Sequence, residues 1–367
     1  KTTTTALTSY ALSQAGQEPG YLIGGVPLDL PSGNELGGEK APFVIEGDEY
    51  DSAFFDKRSK FIHYRPKILV LNNLEFDHGD IFRDLQDISR SFSHLLRIVP
   101  SDGFVLRNGD DPNLLALPDA PWTRILSVGV GDENDFRIID FAEDAQGTRF
   151  KLTWMGSVVM EIAWKMPGLF NARNLAMATL ASALSQHIST GNASNTENFN
   201  PFTSAKLPDF AECAGVKRRQ EILHDSEELA VLSDFAHHPT AIAGALESLR
   251  ARWPGREIIA CFEPRSNTAV TNVFEDRFAD ALALADVAIL GAVHRAEKIP
   301  ADKRINTGNM IRRIEGQGKQ GHAFLNNQDL ESFLLDREIN QPSLVVLFSN
   351  GSFDGVIGRF ADAVKTR

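Results

Sequence analysis

The sequence predicts an α/β protein of two domains: a mostly parallel sheet with an antiparallel extension, then a doubly wound α/β domain. Three observations lead there. At 367 residues the chain exceeds what one compact core usually fills. Beyond residue 215, short β-rich apolar runs alternate with helix-length segments at βαβ spacing. Between 135 and 165, three strand-like runs succeed one another with only turns between them, as antiparallel neighbours do.

Residues 2–16 read as a helix, with Ala6, Leu7 and Tyr10-Ala11-Leu12 as its apolar positions. Strands follow at 21–24, 42–46 and 67–72, then a helix at 80–96. Gly- and Pro-rich stretches around 24–40 and 100–121 read as loops. The antiparallel runs are Phe136-Arg137-Ile138-Ile139, Arg149–Trp154 and Val158–Trp164, and an Ala-rich helix follows at 170–187. The polar stretch 190–205 reads as an exposed loop. The boundary falls near 205–215, giving domains 1–208 and 209–367. In the second domain, strands at 229–234, 257–262, 286–290 and 343–348 alternate with helices at 239–252, 272–284, 307–316, 328–337 and 355–365. No internal repeat is evident.

Hydrophobic residues make up 43% of the chain, enough for a full core, and the formal net charge is −12. That balance argues against a general nucleic-acid binder, because phosphate backbones are held by clustered Lys and Arg. Nucleotide binding stays open, since Mg²⁺ and a few local cations suffice for one triphosphate. Cys213 and Cys261 are the only cysteines. Two isolated thiols make no CxxC motif and no disulfide framework, which points to a reducing cytoplasm. No segment approaches the ~20 apolar residues of a membrane span, and the polar start has no signal-peptide pattern. The chain begins without Met and inside what reads as a motif. Upstream sequence is therefore expected, and a polypeptide starting at Lys1 is expected to show little activity by itself.

Lys1-Thr2-Thr3-Thr4-Thr5 reads as the end of a phosphate-binding loop, G-x-x-x-x-G-K-[ST]. There, backbone N–H groups cradle phosphates, Lys reaches the β and γ oxygens, and a hydroxyl binds Mg²⁺. A polar terminus entering a helix is the plainer account of the same residues. Two strands end in acid: Phe43-Val44-Ile45 runs into Glu46-Gly47-Asp48-Glu49, and Ile68–Leu71 into Asn72-Asn73-Leu74-Glu75-Phe76-Asp77-His78. The ligand crevice of an open parallel sheet lies beyond the carboxyl ends of its strands. Glu46 and His78 are thus expected to project into one site, where oxygens with one imidazole suit Mg²⁺. Against this stands a solvated acidic loop.

Asp234-Phe235-Ala236-His237-His238-Pro239 reads as a helix start with Pro in the first turn, or as ligands for a transition metal. Arg218-Arg219 is a solvated pair or a phosphate clamp. Arg265, in Phe262-Glu263-Pro264-Arg265-Ser266-Asn267, leaves a strand end where it could clamp a carboxylate. Asn171 and Asn174 open the Ala-rich helix, as caps or cleft residues. The turn Ser349–Phe353 follows the last strand and can line the cleft.

Taken in order, KTTT, E-x-D-E, N-x-x-x-D-H, G-x-x-N-x-x-N, R-R, D-x-x-H-H-P and the Pro-Arg strand exit resemble the Mur ligase family over nearly the whole chain. The resemblance implies a P-loop-type ATP-binding domain over 1–208 and a Rossmann-like domain over 209–367. The family's UDP-binding domain and loop glycines are not in the sequence. It implies a ligase of peptidoglycan recycling that uses ATP and Mg²⁺. The enzyme would join UDP-N-acetylmuramate to the murein tripeptide L-alanyl-γ-D-glutamyl-meso-diaminopimelate through an acyl phosphate.

By the same resemblance Lys1, Thr2 and Thr3 contact phosphates, and Thr2, Glu46 and His78 hold metal, with Lys1, Glu46 and His78 catalytic. Asn171 and Asn174 face adenine, and Arg219 and Asp234 reach phosphate and ribose. His237, Arg265 and Asn267 face substrate. Departures from the family pattern include Gly47, Phe170, and Ser352 and Asp354 in the final turn. Residues 79–97 also contain no Lys that could be carbamylated. Other readings are an L-alanine-adding ligase, a metal-dependent phosphohydrolase using Asp234, His237 and His238, and a non-catalytic nucleotide-gated binding protein.

Overall fold

The structure is a computed structural model and describes residues 1–191 and 199–366. Two compact units emerge, one of residues 1–76 and 81–216, the other of 77–80 and 217–367.

The first unit opens with α1 (Thr2–Gln14) and continues through β1 (Gly20–Leu22), β2 (Asn34–Glu35), β3 (Phe43–Ile45), β4 (Asp51–Ala53), β5 (Asp56–Ser59) and β6 (Ile68–Leu71). Then come α2 (Leu85–Arg97), β7 (Phe104–Asn108), α3 (Pro112–Leu115), β8 (Arg124–Gly129), β9 (Phe136–Asp144), β10 (Gly147–Trp154), β11 (Ser157–Trp164) and α4 (Leu169–Ser189). The main sheet has the order β11-β10-β9-β8-β7-β6. Its β6-to-β9 part is parallel, and β9, β10 and β11 pair antiparallel. This is the mostly parallel sheet with an antiparallel extension that the sequence predicts.

β1 and β3 do not join that sheet. They form a separate three-stranded one, β2-β1-β3, in which Tyr21 lies beside Val44. Glu46 and the β6 exit therefore leave different sheets, which corrects the expectation of one sheet edge carrying both acid-bearing exits.

The stretch 100–121 is not all loop. Phe104, Val105 and Leu106 are fully buried in β7, a continuous apolar run of the kind parallel sheets bury on both faces. The run is short and lies between Gly103 and Gly109, which disguises it. Helix α2 begins at Leu85 rather than 80, because the Asp84 carboxylate caps it by accepting from Asp87 N at 2.8 Å. Helix α4 is buried nearly all round, and its alanines allow close packing with α1. Of the polar stretch 190–205, residues 192–198 lie outside the described residues. Phe199 and Phe202 are no exposed loop: their rings stack on Phe104 and Phe136 at 5.4 and 5.1 Å.

Residues 209–216 cluster with the first unit, not the second. The Asp29 carboxylate accepts from Cys213 Sγ, Ala214 N and Gly215 N at 3.2, 3.0 and 2.8 Å. Trp164 Nε1 donates to Cys213 O at 2.8 Å.

The second unit runs β12 (Glu221–Asp225), β13 (Leu229–Asp234), α5 (Pro239–Arg252), β14 (Glu257–Phe262), α6 (Glu275–Leu282), β15 (Val287–Leu290), α7 (Thr307–Gly316), β16 (Gln320–Ala323), α8 (Asn327–Asp336), β17 (Ser343–Phe348) and α9 (Val356–Lys365). Its sheet order is β12-β13-β17-β14-β15-β16, parallel except for β12. The last strand returns to the middle, as a doubly wound sheet requires. β13, β15 and β17 are buried throughout. The edge strands β12 and β16 are polar and half-exposed, which is why their composition does not announce them. Among the described residues no helix is long and apolar enough to cross a membrane.

Candidate functional site

In the first unit the site gathers at the start of α1. No side chain caps this helix among the described residues, and its first turn holds no acid. Such an end presents backbone N–H groups and a positive dipole end to an anion. Thr2 Oγ1 donates to Glu46 Oε1 at 2.9 Å, and Gly24 N donates to Glu46 Oε2 at 2.8 Å. Gly24 and Gly25 make this approach possible: a Cβ on either would sit 2.9 Å from Glu46 Oε2 or from Thr2 Cγ2 respectively. Thr3 is buried beside Thr2.

Lys1 Nζ is paired with the Glu49 carboxylate and lies 3.9 Å from Asp48 Oδ1. Burial pushes its pKa down, but Glu49, Asp48 and Glu46 outweigh burial and hold the ammonium above its ordinary value. The acidic run after β3 is thus no idle solvated loop, since it holds the lysine in place.

Asn174 joins two helices and a strand exit. Its Oδ1 accepts from Thr4 Oγ1 at 2.9 Å and from Asn72 Nδ2 at 2.6 Å, and its Nδ2 donates to Asn171 Oδ1 at 3.3 Å. Asn171 in turn donates to Pro167 O at 2.7 Å. Thr4 and Asn72 were not singled out from the sequence, although both stand inside the quoted motifs. Their signal was a run of amides and hydroxyls at element ends.

Residues 77–80 group with the second unit. His78 holds a left-handed backbone at φ 54. The Asp77 carboxylate accepts from His78 N and Thr268 Oγ1, each at 2.8 Å. Asp77 Oδ2 lies 3.8 Å from His237 Nε2 and 4.0 Å from His78 Nε2. Burial pushes the Asp77 carboxyl up, yet His78, His237 and these hydrogen bonds hold it below the usual carboxylate range. His237 Nδ1 lies 3.0 Å from Phe235 O. A carbonyl only accepts, so Nδ1 carries a proton, and Nε2 is the ring nitrogen that faces Asp77. Burial, the largest influence, keeps the His237 pKa below its ordinary value.

The remaining predicted residues line the carboxyl edge of the second sheet. Asp234 is buried, and its oxygens accept from Gln220 N at 3.0 Å and Ala236 N at 2.7 Å. Burial pushes its carboxyl up. Arg219 lies over the Phe235 ring at 4.7 Å. Arg265 Nη1 pairs with Glu263 Oε1 at 3.1 Å, and Asn267 Nδ2 donates to Asp80 Oδ2 at 2.8 Å. Arg218 reaches the final turn, donating to Ser349 O and Gly351 O. His238 packs its ring on Phe274 at 5.2 Å.

Asp234, His237 and His238 form no metal ligand set among the described residues. Among the described residues no group of three His, Cys, Asp or Glu side chains could hold a metal ion. The Thr2 hydroxyl and Glu46 carboxylate are different: they bring two hard oxygens to 2.9 Å, the ligand type that suits Mg²⁺.

The profile of the Mur ligase middle domain matches residues 1–182, and that of the Mur ligase glutamate ligase domain matches residues 218–351. A relative from Escherichia coli strain K12, UDP-N-acetylmuramate–L-alanyl-γ-D-glutamyl-meso-2,6-diaminoheptandioate ligase, is 39% identical over 292 residues, 79% of this chain and 60% of that protein. A protein of the same name from Haemophilus influenzae is 33% identical over 371 residues, covering 100% of this chain and 75% of its own length. The crystal structure of a murein peptide ligase from Psychrobacter arcticus superimposes with a TM-score of 0.67 at 30% identity, over 100% of this chain and 76% of that one. The chain therefore spans about three fifths to three quarters of the relatives it matches.

Proposed function

Since the chain belongs to the Mur ligase family, we propose that it serves an ATP-dependent ligase joining UDP-N-acetylmuramate to the murein tripeptide L-alanyl-γ-D-glutamyl-meso-diaminopimelate. The observation that carries this reading is the α1 start, where Lys1 stands next to the Thr2–Glu46 pair at 2.9 Å. Support for the tripeptide as amine donor comes from the names of the two relatives at 39% and 33% identity.

The reaction brings one anion to another. An oxygen of the lactyl carboxylate attacks the γ-phosphorus of ATP, the bond to ADP breaks, and an acyl phosphate forms. The amine nitrogen then attacks the acyl carbon, and phosphate leaves with the bonding pair. The helix end and the Lys1 ammonium stabilise the phosphate charge, with Lys1 exchanging Glu49 for phosphate. Thr2 and Glu46, with His78, would hold Mg²⁺, which draws charge from the phosphate oxygens when bound. Asn171 and Asn174 serve the adenine, and Arg219 and Asp234 the rest of the nucleotide.

On the amine side, the incoming ammonium must lose a proton. His237 has its acceptor nitrogen set by Phe235 O, with Asp77 placed to balance the charge gained. Arg265 and Asn267 serve the peptide carboxylates. Such a reaction belongs to peptidoglycan recycling in the cytoplasm.

The test is phosphate release by the intact natural protein with ATP, Mg²⁺, UDP-N-acetylmuramate and either tripeptide or L-alanine. Tripeptide should give the higher kcat/KM. Equal or better use of L-alanine would assign the chain to L-alanine addition, and release that needs no amine would make it a phosphohydrolase.

A further inference from the structure

We propose that Asp354 determines substrate specificity: its carboxylate receives the distal ammonium of the peptide's end residue, while Arg265 receives the carboxylate beside it. The proposal rests on the ligase reading above and deepens it. In the sheet, β17, β14 and β15 are neighbours, so their carboxyl-end loops meet. These loops carry Asp354, Arg265 and His294.

Asp354 is held where an L-residue resists being placed. Phe353 and Asp354 both take left-handed backbone, at φ 53 and 51. Several contacts impose this. The Phe353 ring is fully buried. It lies so close to Gly291 that a Cβ there would fall 2.6 Å from the ring and 2.7 Å from Asn327 Oδ1. Buried Asn327 accepts from Ala292 N at 2.9 Å and donates to Asp354 Oδ2 at 2.7 Å. Arg359 Nη1 donates to Asp354 O at 3.0 Å. The carboxylate is aimed by a buried amide, while the residue itself is exposed. It has no capping role, because α9 starts at Gly355 without a side-chain cap. Strained backbone that surrounding contacts over-determine is a mark of a working residue.

Arg265 is fixed from the other side. Glu263, 1% exposed, pairs with it at 3.1 Å and accepts from the Ser349 hydroxyl. Gly351 lies directly beneath it, since a Cβ there would be 2.1 Å from Arg265 Nε. His294, which follows β15, donates its backbone N–H to Pro264 O at 2.9 Å, one residue before Arg265. Burial and then Arg265 and Arg295 keep its pKa low, and Glu263 and Asp354 oppose them.

An acid and a base on adjoining loops, each anchored by a buried partner, suit an end group carrying both an ammonium and a carboxylate. The distal end of meso-diaminopimelate is such a group. L-alanine, whose one amine is consumed in the reaction, offers nothing to Asp354.

The test uses three amine donors with the intact protein: the diaminopimelate tripeptide, the same peptide with 2-aminopimelate, which lacks only the distal amine, and L-alanyl-γ-D-glutamate. The wild type should prefer diaminopimelate over aminopimelate about tenfold in kcat/KM. Asp354→Asn keeps an acceptor for Asn327 and tolerates left-handed backbone. It should abolish that preference by raising the tripeptide KM alone, leaving the KM for ATP and for the aminopimelate peptide unchanged.

No preference in the wild type would overturn the proposal without any variant. So would equal losses for both peptides in Asp354→Asn, or no loss at all. Calorimetric titration with the same peptides separates the two readings. A wild type that binds diaminopimelate tripeptide preferentially but turns none over overturns the ligase reading and keeps this one. A wild type that binds neither peptide overturns both.

Discussion

Glu46→Gln separates the charge of Glu46 from its shape. The carboxylate accepts from Thr2 Oγ1 at 2.9 Å and Gly24 N at 2.8 Å, in a half-exposed setting. The amide keeps the shape, and the Thr2 hydroxyl can turn to suit it, so both contacts survive as neutral bonds. Charged bonds contribute about 1.5–3 kcal/mol each and neutral ones about 0.5–1.5. Exposure discounts the difference, leaving a stability loss of about 1–2 kcal/mol. For a unit of this size each kcal/mol moves Tm by about 2–4 °C, so Tm should fall by only a few degrees. Turnover should fall much further. Removing a charge that stabilises phosphoryl transfer costs on the order of 10²–10³-fold in kcat. Glu46→Ala should match that loss in turnover and melt lower, because Gly24 N and Thr2 lose their acceptor. The assays are phosphate release at saturating ATP and Mg²⁺, and thermal melts of both variants. Turnover of Glu46→Gln within threefold of wild type would refute the metal role. A lower Tm for Glu46→Gln than for Glu46→Ala would refute the hydrogen-bond account.

Further outcomes follow from other parts of the structure. His78→Asn keeps a residue that accepts left-handed backbone; it should hold its Tm, lose on the order of 10²-fold in turnover and need more Mg²⁺, and normal turnover would move the metal role elsewhere. Asn174→Ala breaks the contacts to Thr4, Asn72 and Asn171, for a loss of about 2–3 kcal/mol seen as a Tm drop of several degrees; Asn174→Asp, which keeps the shared acceptor, should lose less than half as much. Burial pushes the Asp286 carboxyl up, but Ile258 N, Arg250 and Lys319 hold it below the usual range. Its folded pKa is therefore lower than its unfolded one of about 3.9, so its stabilisation is present above that pH and lost as pH falls through the folded value. The Tm gap between wild type and Asp286→Asn should accordingly narrow from pH 6 to pH 3, and a gap that widens would contradict this sign.

Much of the second unit was legible in the sequence. β13, β14 and β17 occupy 229–234, 257–262 and 343–348, as read from composition. These strands are buried on both faces, so their apolar runs are uninterrupted and local composition alone marks them. The antiparallel extension was legible for a similar reason, because short turns force neighbouring runs to pair. Polar edge strands such as β16 carry no such mark; only the hydrogen bonds to β15 make Gln320–Ala323 a strand. The motifs also singled out Lys1, Thr2, Glu46 and Asn174, which the structure gathers around the first turns of α1 through the Thr2–Glu46 and Thr4–Asn174 hydrogen bonds and the Lys1–Glu49 pair.

What the sequence could not decide is which of those groups meet. Asp29 binding Cys213 Sγ and Gly215 N spans some 185 positions, and it carries residues 209–216 back to the first unit. β3 and β6 look alike as acid-ended strands, yet they enter different sheets. Asp354 follows an unremarkable Ser-Phe pair; only the burial of Phe353 and the amide of Asn327, 27 positions away, aim its carboxylate. Residue type and local spacing set what each side chain can do. The long-range packing that chooses its partners is a property of the whole chain, because a hydrogen bond across many residues leaves no periodicity for the sequence to display.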